Sequence, residues 1–373
     1  MDRGITACIK TDLDQKMVLL SGPRQAGKTT LAKTLYPDRS EYFNMDSPAH
    51  RLLIQKQSWR RDCDLVIFDE LHKIRKWKSW IKGIYDTEGV RPRLLVTGSS
   101  RLDLYRKGGD SMAGRFHSYR LHPFSVAELQ KTYPADTALE QIIRFGGFPE
   151  PFLKGSETAA KRWRRSHIDR ILREDLFDIA SIRNVKGIET LVELLRNCVG
   201  STISYDSLAR DLGVSPHTVK QWIGTLESLY ILFVVTPYHR NIARSLIKQP
   251  KIYFYDTGFV REEEGARFEN AVACALLKRL HFLEDTTGER CALYYVRDKE
   301  KREVDFLTVR EGKAEWLIET KLADTDYSAL QHFSGFFPKE IKPILLVKNL
   351  KRELSLNGIP VQKASRWLKG LEA

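Results

Sequence analysis

The sequence has no long apolar run and few cysteines, and each absence narrows the class of protein. The longest apolar stretch, residues 229–235, is far shorter than the ~18 to 20 residues that a membrane-spanning helix needs. The amino terminus also lacks the apolar core of a secretory signal, so we expect a cytoplasmic protein with no membrane partner. The five cysteines, at positions 8, 63, 198, 274 and 291, show no paired spacing, which argues against a disulfide framework and against a zinc site.

Acidic residues are outnumbered by basic ones. The chain of 373 residues contains 61 Lys and Arg against 48 Asp and Glu, which gives a net charge of +13. A surplus of this sign favours an anionic partner, and nucleic acid is the most common large polyanion in a cytoplasm. The alternative is a solvated basic surface without a dedicated partner, since clusters such as residues 161–165 often line exposed helices.

The most informative segment is residues 17–30, MVLLSGPRQAGKTT, in which an apolar strand leads into the spacing G-x-x-x-x-G-K-T. Glycines at this spacing let backbone N–H groups turn towards phosphate oxygens, and the following helix adds its positive dipole end. The pattern predicts a nucleoside triphosphate site, with Lys28 reaching the β- and γ-phosphates and the Thr29 hydroxyl binding Mg²⁺. The alternative is a glycine-rich turn that binds no ligand. The expected ATP-binding residues are Gly22, Pro23, Arg24, Gln25, Ala26, Gly27, Lys28, Thr29 and Thr30.

A second apolar run, residues 64–68, ends in Asp69 and Glu70. A buried parallel strand has this form when it carries acids to the carboxyl edge of a sheet. We expect Asp69 to hold the Mg²⁺ through water, and Glu70 to act as the general base that orients and deprotonates the attacking water. An alternative is that the two acids only cap a helix beginning near Leu71.

A third strand, residues 93–97, also ends in small polar residues. The order of a phosphate loop, an Asp-Glu strand and a strand with a polar end resembles AAA-type ATPases. In that family the last polar residue senses the γ-phosphate, and Ser99 is the matching position, with Thr97 and Ser100 as alternatives.

Two further segments, residues 113–129 and 145–150, resemble a group of prokaryotic ATPases whose AAA-type core is followed by a domain of unknown function. In related signalling ATPases a Gly-x-Pro segment lies by the adenine, which implies this position for Pro149. The same resemblance implies that Arg115 stabilises charge in the transition state. A solvated surface arginine or a structural ion pair is the alternative for Arg115.

Residues 203–223 have the pattern of a helix-turn-helix, with Gly213 in the turn and Ser215 and Pro216 at the start of the second helix. Two apolar stretches that follow, 229–235 and 251–255, predict the strands of a wing. The second helix has no arginine to read a guanine edge, so any DNA contact is expected to be insensitive to sequence. The alternative is that the module packs against a neighbouring domain.

The carboxyl-terminal part contains a second set of chemically interesting residues. Asp305 lies on one predicted strand, and Glu319 and Lys321 lie on the next, where their spacing of two places them on one face. Two carboxylates and a lysine can bind a divalent metal, activate a water on it and stabilise charge on a phosphodiester.

This arrangement resembles the PD-(D/E)xK nuclease motif, with Val304 where the motif has proline. The resemblance implies that Asp305 and Glu319 are metal ligands and that Lys321 is a catalytic cation, with Glu269 on the preceding helix as a further contact. The alternative is a hairpin stabilised by salt bridges with no catalytic role.

The complete prediction is an α/β protein with four parts. They are an AAA-type P-loop ATPase core at 1–155, a helical lid and linker at 156–199, a winged helix at 200–257 and a restriction-endonuclease-like PD-(D/E)xK domain at 258–373. The expected function is Mg-dependent ATP hydrolysis coupled to a nucleic-acid or protein partner, with DNA processing by the last domain. The alternative is a slow, nucleotide-dependent regulatory switch whose last domain is a non-catalytic docking module. Assembly into a homo-oligomer stays open in both cases.

Overall fold

The computed structural model describes residues 3–98, 112, 114–175, 184–238, 249–261 and 263–371. The chain divides into two compact units. The first contains the chain through Pro123 together with residues 228–230, and the second contains residues 124–227 and the chain from Ile231 onwards.

The first unit is built on five parallel strands that hydrogen-bond in the order β2-β3-β4-β1-β5. Strands β1, β3 and β4 are buried along their whole length, because their sequences are continuous apolar runs of the kind found inside parallel sheets. The elements in chain order are α1 (Thr6–Leu13), β1 (Met17–Ser21), α2 (Lys28–Leu35), β2 (Ser40–Asn44), α3 (Pro48–Gln55), β3 (Leu65–Asp69), α4 (Trp77–Glu88), β4 (Arg93–Thr97) and β5 (Phe116–Arg120).

The strand register brings three carboxyl ends to one edge of this sheet. Asp69 pairs with Thr97 across β3 and β4, and Thr97 pairs with Leu20, which lies near the carboxyl end of β1, just before the phosphate loop. The predicted parallel α/β core is therefore confirmed for this unit.

Strand β2 is held beside β3 by aromatic packing on one face of the sheet. The rings of Phe43 and Phe68 are stacked with centroids 6.1 Å apart, and Trp59 and Trp80 each meet Phe68 edge-on at 5.5 Å. Aromatic pairs at these separations add directional attraction to the burial of their surface. The register of the two strands places Asn44 of β2 opposite Asp69, at the carboxyl edge of the sheet.

The second unit begins with helices. Both helices of the predicted helix-turn-helix are present, at Tyr205–Leu212 and Pro216–Ser228. Gly213 in the turn between them has a φ of 65°. The Ser215 hydroxyl accepts a hydrogen bond from the backbone N–H of Thr218 at 3.1 Å, as expected of a cap. The helices are α5 (Val126–Leu129), α6 (Ala135–Phe145), α7 (Pro149–Lys154), α8 (Glu157–Arg170), α9 (Val185–Leu195), α10 (Tyr205–Leu212), α11 (Pro216–Ser228), α12 (Glu264–Thr287), α13 (Ser328–Ser334) and α14 (Ala364–Lys369).

An eight-stranded mixed sheet completes the second unit, with the order β12-β13-β11-β10-β9-β8-β6-β7. Its strands are β6 (Leu232–Pro237), β7 (Lys251–Phe254), β8 (Cys291–Arg297), β9 (Glu303–Arg310), β10 (Lys313–Lys321), β11 (Lys342–Val347), β12 (Leu354–Leu356) and β13 (Ile359–Lys363). The two predicted wing strands, β6 and β7, pair antiparallel as expected. Strand β6 also pairs parallel with β8, from Thr236 opposite Tyr294. The two strands are thus continuous with the carboxyl-terminal sheet.

A buried ion pair links distant segments of this unit. The Arg164 Nε atom donates to Asp256 Oδ2 at 2.7 Å, and its Nη2 atom donates to the Phe145 carbonyl oxygen at 2.6 Å. Gly146 lies against the same carboxylate with a φ of +86°, and a Cβ atom there would be 1.8 Å from Asp256 Oδ1. The positive φ and the lack of space for a side chain explain why the Gly-Gly-Phe-Pro segment begins with glycine.

We predict that Gly146→Ala strongly destabilises the protein, because the new methyl group would displace a buried carboxylate from its arginine. Gly155→Ala is the matched control, since Gly155 also has positive φ, at +57°, but a methyl group there would meet nothing within 4 Å beyond its chain neighbours among the described residues. The control should lose about 1–2 kcal/mol from backbone strain alone, and Gly146→Ala should lose about 2 kcal/mol more. Urea denaturation measures both free energies of unfolding, and equal losses would contradict this account.

Among the described residues, no helix has both the length and the apolar character needed to cross a bilayer.

Candidate functional site

The phosphate loop connects β1 to α2 through backbone conformations that suit glycine. Gly22 and Gly27 have φ values of 137° and 101°, and Gln25 between them has a φ of 64°. A Cβ atom on Gly22 would lie 2.3 Å from the carbonyl oxygen of Leu121, so the loop has no room for a side chain at that position. Helix α2 then begins at Lys28, which directs its amino-terminal N–H groups towards the loop.

Lys28 is folded over this loop. Its Nζ atom donates to the carbonyl oxygens of Gly22 and Pro23, at 2.8 Å each, and the residue is only 7% exposed. These neutral carbonyls hold the ammonium group above the turn that would receive the phosphates. A phosphate oxygen is a stronger, charged acceptor, so the geometry permits an exchange of partners on ligand binding.

Asp69 is the last residue of β3, and its carboxylate accepts hydrogen bonds from hydroxyl groups of three other elements. The Thr29 hydroxyl donates to Asp69 Oδ2 at 2.9 Å, the Tyr42 hydroxyl donates to the same oxygen at 2.6 Å, and the Thr97 hydroxyl donates to Oδ1. Burial, with the hydrogen bond to Asp69, raises the pKa of Tyr42 above its ordinary value, so this phenol stays a donor. Tyr42 was not identified from the sequence, where it is one aromatic residue in an ordinary strand.

The pair of Thr29 and Asp69 fits a Mg²⁺ ion by its chemistry. A hydroxyl and a carboxylate are hard oxygen donors, and Mg²⁺ in nucleotide sites takes only one or two protein carboxylates beside waters and phosphates. Within the described ranges, no group of three or more His, Cys, Asp or Glu side chains has the arrangement of a metal site. Any magnesium held here would therefore depend on oxygens of the nucleotide and of water.

Glu70 leaves the strand in a left-handed conformation, with a φ of 58°. Its backbone N–H donates to the Thr97 carbonyl oxygen at 2.9 Å, and its Oε2 atom lies 3.3 Å from Nε2 of the buried His72. The short 3₁₀ helix that follows, Leu71–Lys73, has no side-chain capping hydrogen bond. Glu70 therefore stands at the start of this short helix without capping it through its side chain, and its role as general base stays a prediction. His72 is a neighbour that the sequence did not single out.

The structure bears differently on the other residues that were predicted to contact the nucleotide. Arg115 forms two hydrogen bonds with Asp86, at 2.6 Å and 3.1 Å, and thereby lowers the pKa of that carboxyl group. This is the structural ion pair that the sequence left as an alternative, and the role of Arg115 in the transition state stays a prediction. Pro149 is the first residue of α7 in the second unit, and its adenine contact stays a prediction. Ser99 and Ser100 lie outside the described residues.

A second polar site lies on the sheet of the second unit. The register that pairs Ile318 with Phe306 sets Glu319 opposite Asp305 on adjacent strands. Thr320 donates to Asp305 Oδ2 from its backbone N–H at 2.9 Å and from its hydroxyl at 2.7 Å. Lys321 lies 2.8 Å from Glu319 Oε1, so the three residues of the predicted nuclease motif are brought together.

Lys251 enters this cluster as a buried cation that the sequence did not identify. Its side chain is 1% exposed, and its Nζ atom lies 2.7 Å from Glu303, 3.2 Å from Glu269 and 3.5 Å from Asp305. Burial alone lowers the pKa of Lys251, but the carboxylates around it, Glu269 first, raise it well above its ordinary value. The ammonium group is therefore charged and balances part of the acidic cluster.

Glu319 is only partly compensated within this cluster. Burial, with a further contribution from Asp305, raises its pKa to about 8. Its Oε2 atom is buried and has no hydrogen-bond partner among the described residues. A buried carboxylate oxygen without a partner is costly, and it is the kind of atom that a bound cation would satisfy.

Comparison with known proteins supports the identity of the first unit. Residues 14–130 match the family model described as an AAA domain. Residues 136–267 and 264–365 match two models described as domains of unknown function, DUF8612 and DUF4143. An AAA-type ATPase domain is therefore supported, whereas the winged helix and the nuclease-like domain stay predictions.

Curated relatives have been found in bacteria and archaea. An uncharacterised protein of Mycobacterium tuberculosis is 28% identical over 247 residues, covering 65% of this chain and 55% of that protein. An uncharacterised protein of Methanocaldococcus jannaschii is 26% identical over 272 residues, covering 66% of this chain and 59% of that protein. The matches thus span little more than half the length of these relatives.

Solved structures give only distant matches. RuvB of Thermotoga maritima is 16% identical and covers 61% of this chain and 88% of its own, with a TM-score of 0.32. A signal transduction ATPase with numerous domains from Pyrococcus horikoshii is 13% identical and covers 77% of this chain and 48% of its own, with a TM-score of 0.29. These TM-scores are too low to support an argument about function.

Proposed function

We propose that the first unit binds Mg-ATP at residues 22–30 and hydrolyses it. The observation that carries this proposal is the 2.9 Å hydrogen bond from the Thr29 hydroxyl to Asp69. It joins the end of the phosphate loop to the acidic end of β3, two groups 40 residues apart in sequence. Phosphoryl-transfer sites of the P-loop type need this juxtaposition of a hydroxyl and a carboxylate to hold a magnesium ion.

Each residue then has a defined role in the proposed reaction. The N–H groups of the loop and of the start of α2 bind phosphate oxygens, and Lys28 turns from the Gly22 and Pro23 carbonyls to the γ-phosphate. Thr29 and Asp69 would hold a magnesium ion, which would neutralise charge on the phosphates. Glu70 orients the attacking water and takes its proton, with His72 restricting the position of the carboxylate.

Equilibrium binding tests the first half of this proposal. Fluorescent ATP added to the protein should bind in Mg²⁺ and should bind more weakly in EDTA, because Thr29 and Asp69 then lose the ion that links them to the phosphates. Equal binding under both conditions would contradict the assigned roles of Thr29 and Asp69.

The partner to which hydrolysis is coupled is proposed to be a nucleic acid or a protein. The net charge of +13 favours the nucleic acid. Turnover measured with and without DNA separates the two functional hypotheses, since a DNA-processing ATPase should be stimulated. A slow regulatory switch should retain its nucleotide and show the same low rate in both conditions.

The acidic cluster of the second unit supports a second candidate function, metal-dependent cleavage of a phosphodiester. The specific observation is the buried, unpartnered Oε2 atom of Glu319 opposite Asp305, among the residues that the structure describes. These two carboxylates would hold a divalent cation, and Lys321 would stabilise charge on the scissile phosphate. Lys251 would compete with that cation for Asp305, so metal binding at this site is expected to require some rearrangement of Lys251.

We predict that Asp305→Asn and Lys321→Ala each reduce Mg²⁺- or Mn²⁺-dependent DNA cleavage by at least about 100-fold. ATP hydrolysis should be unchanged, because the phosphate loop and the acidic end of β3 belong to the other unit. Titration with Mn²⁺ in the absence of nucleotide gives an independent measurement, and Asp305→Asn should remove the binding that the wild type shows.

Asp324→Asn is the matched control for this experiment, since Asp324 is an exposed carboxylate outside the cluster. It should cleave DNA and bind Mn²⁺ like the wild type. If the wild type neither cleaves DNA nor binds Mn²⁺ outside its nucleotide site, the cluster is a set of structural salt bridges and the second candidate function is refuted.

A further inference from the structure

The second unit contains a cavity of about 750 Å³ that neither proposed activity uses. It is lined by residues of α8, α9 and α12 and of the 3₁₀ turn Thr257–Phe259. Seven of the lining side chains are cationic and four are carboxylates. We call this cavity the basic pocket. Its volume lies within the range of roughly 300 to 1,000 Å³ that is usual for small-molecule sites.

Three arginines of the basic pocket are held in place by the protein itself. The Nε atom of Arg164 donates to the Asp256 carboxylate at 2.7 Å, that of Arg196 donates to the Phe259 carbonyl oxygen at 2.7 Å, and that of Arg267 donates to the Val260 carbonyl oxygen at 3.0 Å. Arg164 also donates to the Phe145 carbonyl oxygen at 2.6 Å, and Arg196 to Glu193 Oε1 at 2.8 Å. A guanidinium group has five N–H donors, so each arginine retains donors after these contacts. Arginines fixed in this way lose little conformational entropy when a ligand binds.

Two more cations on α8 form no ion pair with any residue that the structure describes. Lys161 and Arg165 line the basic pocket and are exposed, and neither forms a hydrogen bond or a salt bridge in the part of the chain that the structure describes. Glu157 lies close by, and its pKa is lowered mainly by a hydrogen bond from Arg144, with smaller effects of Lys161 and Arg267. The seven cationic side chains of the lining outnumber its four carboxylates, so the electrostatic field of the cavity favours an anion.

The apolar part of the lining narrows the class of ligand. Ile168, Leu172, Val192 and Phe259 provide an apolar wall beside the arginines, and Glu189 adds a carboxylate that can accept hydrogen bonds from hydroxyl or amino groups. Arginines match the geometry of phosphate oxygens, while an apolar wall suits a planar base or a hydrocarbon. We infer that the basic pocket binds a small organic phosphate of the size of a mononucleotide.

The test uses AMP as the probe and the full-length Lys28→Ala protein as the background, so that the phosphate loop does not contribute. Lys161→Glu combined with Arg165→Glu should weaken AMP binding roughly tenfold or more, because two attractive charges become repulsive. The matched control is Arg162→Glu combined with Arg170→Glu, which makes the same charge change at exposed positions of α8 outside the basic pocket. The control should bind AMP within about twofold of the background, since distant exposed charges are screened.

Isothermal titration calorimetry gives the affinity and the stoichiometry, and thermal unfolding of each variant confirms that it is folded. Undetectable binding of AMP to the background protein would overturn the inference, as would equal affinities of the two double variants. If a single-stranded oligonucleotide binds through Lys161 and Arg165 and AMP does not, the surface is a nucleic-acid interface and the inference is also overturned. This test measures AMP binding and does not depend on ATP hydrolysis. A negative result would therefore overturn the inference about the basic pocket without contradicting the proposed ATPase activity.

Discussion

Lys28→Ala is expected to lose at least about 100-fold in affinity for ATP, and with it all measurable hydrolysis. The reason is that the Lys28 ammonium group is buried beside the loop and would face the phosphates with little competition from water. Removing one partner of a desolvated charge contact costs several kcal/mol in binding free energy. Equilibrium binding of fluorescent ATP measures the loss directly, and phosphate release at saturating ATP measures the turnover.

Lys10→Ala provides the control for Lys28→Ala. Lys10 is an exposed lysine on α1 of the same unit and takes no part in the phosphate loop, so its removal should leave affinity and turnover unchanged. If Lys28→Ala binds ATP as tightly as the control, the loop does not hold the phosphates in the proposed way.

Glu70→Gln is expected to separate binding from chemistry. The variant should bind ATP with nearly wild-type affinity, because Glu70 acts on the water and not on the nucleotide. Hydrolysis should fall by about 10²- to 10⁴-fold, which is the usual contribution of a general base. The amide has the same shape as the carboxylate but cannot accept the proton of the attacking water.

The control for Glu70→Gln is Glu41→Gln. Glu41 is a carboxylate on β2 that pairs with the exposed Arg60, and its loss should not alter hydrolysis. Wild-type turnover by Glu70→Gln would show that the base has been assigned to the wrong residue, even if ATP binding is as proposed.

The nucleotide site could be predicted from the sequence because its main residues are local in sequence. The loop of residues 22–29 combines fixed spacing with a strand before it and a helix after it, and β3 ends directly in Asp69 and Glu70. Continuous apolar runs predicted the buried central strands, since both faces of a parallel sheet are covered. The site thus follows from two short segments and one general rule about sheet edges.

Tyr42 and His72 could not be predicted because their roles depend on the arrangement of strands. Tyr42 reaches Asp69 only because β2 lies beside β3. The five residues of β2 contain no signal that predicts this strand order. His72 approaches Glu70 because the chain turns through a left-handed residue after β3. A lone tyrosine or histidine in a sequence carries no signal of either contact.

The contacts of Lys251 in the second unit could not be predicted from the sequence for the same reason. The sequence placed Lys251 at the start of a wing strand and gave it no role in the acidic cluster. The structure continues the two wing strands into the carboxyl-terminal sheet, and the Lys251 ammonium group is buried among three carboxylates of other elements. The motif residues Asp305, Glu319 and Lys321 were found from their spacing together with the resemblance to a nuclease motif, but the cation that balances them was not.

The central claim, hydrolysis of ATP at the loop and the end of β3, is tested most directly by phosphate release from purified protein. The account predicts release of phosphate from ATP in Mg²⁺, none above background in EDTA, and little or none from Lys28→Ala or Glu70→Gln under the same conditions. Wild-type protein that releases no phosphate over long incubation in Mg²⁺, or a Lys28→Ala variant that releases it at the wild-type rate, would contradict the claim.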